Sequence, residues 1–198
     1  ELNATLSPEE KTKLLETDTK NSEAYDLYLK GLYEYRTYTN RGVHNSIELL
    51  EQAIALDSNY ARAYAALANS YIGLATIFAA EMNALEALER GKPFIDKALA
   101  LDPNLCEAQM TLAFYLLYHD WDFAGAEAAY KKSIRTDYPD ALALYVDYLN
   151  FVSRHTEALQ LAERLNTTDP YYPNSRMILS YIYNERWDQA VQFLTSRD

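Results

Sequence analysis

The sequence predicts an all-α fold built as an array of about five antiparallel helix pairs, and three observations carry that reading. The first is a recurring phrase: EQAIALDSNYARAYAALANSY at Glu51 to Tyr71 returns as DKALALDPNLCEAQMTLAFYL at Asp96 to Leu116. Weaker echoes begin at Lys131 and Glu163, and the aspartates of the four phrases (Asp57, Asp102, Asp137, Asp169) stand 45, 35 and 32 residues apart. A self-similar unit of about 34 residues made of two amphipathic helices is the mark of a helical solenoid. The second observation is apolar spacing. Tyr25, Tyr28, Leu29 and Leu32 fall at i, i+3, i+4 and i+7, which is one face of a helix. The third is scarcity of breakers, with 5 Gly and 6 Pro in 198 residues. A solenoid presents a long concave surface, so the architecture itself points to binding.

The elements are taken in chain order. LSPEEKTKLLE opens with Ser7 as an N-cap, Pro8 at the first helical position and Glu9-Glu10 at the positive helix end. Residues 1–21 therefore read as a leader from an upstream domain. The chain begins with Glu and ends inside a helical pattern, so it reads as a piece of a longer polypeptide. Five repeats are assigned at 22–57, 58–103, 104–138, 139–170 and 171–198. In the first, a polar loop over Thr37 to Asn45 precedes a helix carrying Ile47, Leu50, Ala53, Ile54 and Leu56. The second has an insertion at Ala75 to Leu88, read as longer helices, and Pro93 is expected to start its return helix late or kink it. The third turns at His119 to Asp122, the fourth at Ser153 to His155, and the fifth at Arg186 to Asp188.

Composition narrows the partners. A net charge of −11 argues against nucleic acid and against an anionic membrane surface, because both need clustered Lys and Arg. No run approaches the ~20 apolar residues of a membrane helix. Cys106 is the single cysteine, so no intrachain disulfide forms. The 18 tyrosines mostly sit at helix-seam spacing and are assigned to the core with their phenol tips at its rim.

Tyr64, Leu67, Ala68 and Tyr71, followed by Ala98 and Asp102-Pro103, resemble the tetratricopeptide repeat (TPR) pattern. The resemblance covers residues ~22–198 and implies a right-handed superhelix of helix pairs. In such pairs a small residue (Ala68, Ala113) lets two helices approach while larger ones fill the gaps between pairs. Ser58 stands where Pro is usual, and Gln109 and Asn174 where a large aromatic is usual. The stretches AYDLYLKGLYEY and DWDFAGAEAAYKKSI are more specifically similar to the C-terminal TPR regions of multidomain bacterial regulators. Those carry an upstream cyclase, kinase or winged-helix domain, so the resemblance implies a regulatory or sensory module.

The resemblance also places a partner groove on the first helix of each pair. The residues assigned to it are Lys30 and Tyr33 (with Asp26), Arg62 and Asn69 (with Ala65), Met110, Phe114 and Tyr118 (with Glu107), Asp147 and Asn150, then Ser175 and Leu179. Its occupant would be a protein or peptide; a homodimer and a small ligand in a Tyr-rich groove are the rival readings. Grooves that grip a C-terminal carboxylate use successive Lys, Arg and Asn, and repeats three and four offer nothing basic there. No cofactor, metal or catalytic set is assembled: His44, His119 and His155 lie at turns of different repeats. Cys106 lacks a basic neighbour in sequence and reads as inert. Trp121, Phe123 and Trp187 are expected to pack on the helices that come after them.

Overall fold

The computed structural model describes residues 19–76, 83–173 and 175–196. Among them it shows ten α-helices and no strand. The chain forms two compact units, Glu1–Leu105 and Cys106–Asp198. The first holds α1 (Ser22–Tyr35), α2 (Asn40–Leu56), α3 (Ala61–Thr76) and α4 (Ala84–Leu101). The second holds α5 (Cys106–Tyr115), α6 (Phe123–Ser133), α7 (Pro139–Phe151), α8 (His155–Thr168), α9 (Ser175–Tyr183) and α10 (Trp187–Thr195). Consecutive helices pack as pairs: α1 with α2, α3 with α4, α5 with α6, α7 with α8, and α9 with α10.

The pairs close on small residues. Ala68 and Ala113 are fully buried. A Cβ on Gly91 of α4 would lie 3.4 Å from the Ala68 carbonyl, and one on Gly31 of α1 only 2.8 Å from Leu50 Cγ on α2. Around this crossing the larger side chains fill in. In the second unit Leu142, Val146, Leu149, Leu159 and Leu165 form one core with Tyr130, Tyr145 and Tyr148. Tyr130 lies 5.4 Å from Tyr145 and 5.5 Å from Tyr148. Burial drives the Tyr130 hydroxyl well above the usual tyrosine range, as a phenol sealed in a core requires.

The recurring aspartate has a job that the structure makes plain. Asp57, Asp102 and Asp169 each end a second helix in extended backbone. Their side chains accept from the backbone N–H two residues on (Asn59, Asn104 and Tyr171) at 2.9, 2.9 and 3.0 Å. This Asx turn steers the chain into the next pair. Asp137 differs: it is left-handed at φ 54° and pairs with Arg164 of α8. Four of the turns inside pairs also close on one left-handed residue, Tyr38, Trp121, Ser153 or Glu185, with φ of 50, 56, 62 and 59°.

Two expectations about helix starts are corrected. The polar loop of the first pair is shorter than Thr37 to Asn45, because Thr39 caps Gly42 N–H at 3.0 Å and α2 starts at Asn40. The return helix of the second pair does not wait for Pro93. Asn83 caps Leu85 at 2.9 Å, so α4 begins at Ala84 and runs through the proline. The leader helix at Ser7 lies outside the described residues, as does the centre of the insertion, 77–82.

Losing one Asx turn should cost a single side-chain hydrogen bond's worth of stability. Asp102→Ala is expected to destabilise the chain by about 1 kcal/mol in chemical denaturation. The opposite sign is expected at a left-handed turn residue. Ser153→Gly removes a Cβ penalty of ~1–2 kcal/mol against a glycine entropy loss of ~0.5–1, so Tm should rise.

Candidate functional site

In the second unit the first helices α5, α7 and α9 carry the groove assignment, and helical spacing decides what each presents. Phe114 and Tyr118 are one turn apart, their rings 4.3 Å from centre to centre. Asp147 and Phe151 share a stripe of α7, and Arg176, Leu179 and Tyr183 share a stripe of α9. The Arg176 guanidinium joins two of these helices: Nε donates to Asp147 Oδ2 at 2.9 Å and to the Ala143 carbonyl at 3.1 Å, and Nη2 donates to Asp147 at 2.7 Å. Its other side lies 5.9 Å from the Tyr172 ring, whose hydroxyl donates to Asp140 at 2.8 Å.

Electrostatics tie this set to Tyr118. Partial burial raises the Tyr118 hydroxyl above its ordinary range, and the Asp147 charge raises it further. Asp147 itself is lifted by desolvation, with Arg176 working against the shift. Tyr118, Phe151, Leu179 and Tyr183 are exposed large side chains around this ion pair. The strip can grip an apolar segment at its edge and hydrogen-bond it at its centre. Nothing in it activates a nucleophile.

The other assigned residues fall out differently. Met110 and Phe114 are buried and offer little surface, as is Ala65 in the first unit. Asn150 is half-buried, 3.3 Å from the His155 ring. In the first unit Lys30, Tyr33 and Arg62 are exposed and Asn69 is half-buried. Phe151, Arg176 and Tyr183 were missed, although each lies at helical spacing from a residue that was named. Arg176 also places a basic group in repeat five, held by Asp147.

Trp121, Phe123 and Trp187 are all exposed. Trp121 lies 6.5 Å from Phe123 at the start of α6, and Phe123 stacks at 6.1 Å on Phe151 of α7, the helix after its own. His155, which starts α8 as Phe123 starts α6, stacks on Tyr183 of α9 at 4.9 Å. These contacts tie consecutive pairs at their turn ends. His119 stacks on Tyr115 and bonds Asp120 at 2.7 Å. Burial and a bond to Glu107 push the Cys106 thiol up to about 11, which leaves it protonated at neutral pH. Among the described residues no three His, Cys, Asp or Glu cluster to hold a metal ion. No described helix is long and apolar enough to cross a membrane.

A charged clamp ties α6 to the start of α8. Arg154 spans Glu157, at 2.7 Å from Nε, and Glu127 of α6, at 2.7 Å from Nη1. Lys131 reaches the same Glu127 oxygen at 2.7 Å.

No family model matches the chain, and no curated protein matches it. Solved structures do. The thermophilic TPR protein TTC0263 of Thermus thermophilus matches with a TM-score of 0.63 at 16% identity, over 92% of this chain and 87% of that one. A structure of MamA matches with a TM-score of 0.52 at 16% identity, over 88% and 89% of the two chains. A second MamA structure gives 0.53 at 17% identity, over 82% and 90%. The chain therefore has the all-helical TPR fold. At these identities the likeness is one of fold alone.

Bonds from Lys131 and then Arg154 lower the Glu127 carboxyl to about 2. A carboxylate depressed on folding stabilises fully above its unfolded value of about 4.5 and loses that contribution as pH falls towards 2. Thermal unfolding of the parent and of Glu127→Gln should therefore differ at pH 6, and the gap should narrow steadily below pH 4.5 and close only as pH falls to about 2. A gap that persists in acid would mean that Glu127 acts through packing.

Proposed function

We propose that this chain is a non-catalytic scaffold whose second unit holds a segment of another protein along the first-helix strip of α5, α7 and α9. The observation that carries the reading is the set of exposed Tyr118, Phe151, Leu179 and Tyr183 around the Asp147–Arg176 pair. Aromatic anchors beside a geometrically fixed charge pair are how protein-binding surfaces concentrate their affinity. Within the first unit, Lys30, Tyr33, Arg62 and Asn69 are proposed as that unit's own partner-facing residues. A small-ligand site finds less support. The shallow cleft beside Tyr172, Arg176 and Met177 has an empty volume of ≈ 230 Å³, open solvent included. Small-molecule pockets span roughly 300–1,000 Å³.

The wider role rests on the sequence resemblance. The module serves as the regulatory or sensory part of a bacterial signalling or transcription regulator, reporting partner occupancy to an upstream effector.

A displayed peptide library panned on the folded chain tests the binding reading. Enriched peptides should bind the parent at least tenfold more tightly than a Tyr118→Ala/Asp147→Ala/Phe151→Ala variant, a loss of about 1.4 kcal/mol. Circular dichroism must show equal helix content in both. Equal affinity for the two proteins, or no enrichment at all, would remove the strip as the site.

A further inference from the structure

The charges of the strip do not balance, and the imbalance selects what it can hold. The first helices of the second unit carry three carboxylates, Glu107 on α5 and Asp140 and Asp147 on α7, against one Lys or Arg, Arg176 on α9. Asp140, Leu144, Asp147 and Phe151 fall at i, i+4, i+7 and i+11, so both α7 carboxylates share the stripe that presents the Phe151 ring.

Each of those two carboxylates is only partly paired. Arg176 directs Nε and Nη2 at the same oxygen, Asp147 Oδ2, and among the described residues Oδ1 accepts from no donor. An ionised carboxylate offers about four lone-pair sites, so half of this one is open. The Asp147 side chain is 45% exposed. Burial nevertheless lifts its carboxyl above the ordinary range with Arg176 beside it, the sign of a charge whose lost hydration is not fully replaced. Asp140 accepts from the Tyr172 and Tyr138 hydroxyls at 2.8 and 3.2 Å, and neither donor carries a charge.

Exposed rings complete the set. Phe151 is one turn from Asp147 on its own helix, and the Asp147 charge is felt at the Tyr118 hydroxyl. Aromatic faces attract cations, the more so as water is excluded. Arg176 already combines the two contacts, lying 5.9 Å from the Tyr172 ring while it donates to Asp147. A neutral apolar segment would cover the rings but take water from Asp147 and return no donor. An anionic segment would meet two carboxylates.

We propose that the segment held by the strip presents a lysine or arginine to Asp147 Oδ1, with apolar neighbours seated on Tyr118, Phe151 and Leu179. This rests on the strip being the binding site. The incoming cation completes the pairing that Arg176 begins, and Asp140, about 10 Å along α7, adds to the field that holds it. The chain's net charge of −11 draws such a segment in.

A random displayed peptide library panned on the folded chain supplies the probe. Its consensus should hold a Lys or Arg at a fixed place among apolar residues. The best peptide is then made with that cation and with a neutral isostere, citrulline for arginine or norleucine for lysine; the neutral form should bind about tenfold more weakly. Asp147→Asn should erase that difference. Arg176→Gln removes the competing cation and should tighten the cationic form about threefold, whereas a pair with only a structural role predicts a loss. Circular dichroism must show equal helix content. Where Arg176→Gln fails that check, Asp140→Asn replaces it, with about threefold weakening confined to the cationic form.

A consensus without a cation overturns the proposal, as do equal affinities of the two forms or equal loss of both on Arg176→Gln. In those cases the strip stands as the binding site as long as the Tyr118→Ala/Asp147→Ala/Phe151→Ala variant fails to bind. No enrichment at all removes the strip and this inference with it.

Discussion

The close approach of two helices within each pair, at a small residue in the first three, sets the register for the residues around it. In the first unit a Cβ on Gly31 would stand 2.8 Å from Leu50 Cγ and one on Gly91 3.2 Å from Tyr71 Cβ, so a larger side chain at either crossing makes its neighbours shift. Once that crossing is fixed, 3.6 residues per turn decides the rest. Positions one turn away face the partner helix, positions two residues on face the preceding pair, and the next stripe faces outward. On α7 and α9, where larger residues are buried at the centre of the helix, the same spacing sets Asp147 and Phe151, and Arg176, Leu179 and Tyr183, on one stripe each. The Asx turns at Asp57, Asp102 and Asp169 carry the register from pair to pair, and the stacks of Phe123 on Phe151 and His155 on Tyr183 hold it at the turn ends.

Periodicity is what makes a fold legible in a sequence, and here it reached as far as the helix pairs. The recurring Asp phrase and the small residues mark those pairs, and Ala68 and Ala113 are as buried as that reading requires. Depth is not legible in the same way. Helical spacing places Met110 and Phe114 on the same stripe as Tyr118, but tertiary packing buries the first two and leaves the third exposed. Helix starts escape the pattern where a cap outweighs a breaker, as at Asn83 ahead of Pro93 and at Thr39 inside a polar run. Turn conformation escapes it for a different reason: four turns share one left-handed backbone while the residue in it is Tyr, Trp, Ser or Glu.

One local irregularity shapes the strip. The last turn of the first helix in the third pair is a π turn, Leu116–Asp120, closed by Asp122 N–H on the Leu116 carbonyl at 2.9 Å. A π turn inserts one residue into a helical repeat and rotates the residues beyond it. Ala113 accordingly lies one residue further from Trp121 than Val146 lies from Ser153. Beyond Ala113, Tyr118 stacks on Phe114 and His119 on Tyr115.

The strip and the core beneath it are not independent, because α9 belongs to both. Arg176, Leu179 and Tyr183 of the strip lie on the first helix of the last pair, where Met177, Ser180 and Ala190 are the buried residues. Met177 shares the core of Leu159 and Ala162 on α8, while Arg176, its neighbour in sequence, is turned to Asp147 on α7. Successive residues of a helix point about 100° apart, so seating Met177 in the core fixes the direction in which the Arg176 guanidinium leaves the helix. The ion pair at the centre of the strip is therefore held by core packing as much as by its own charges.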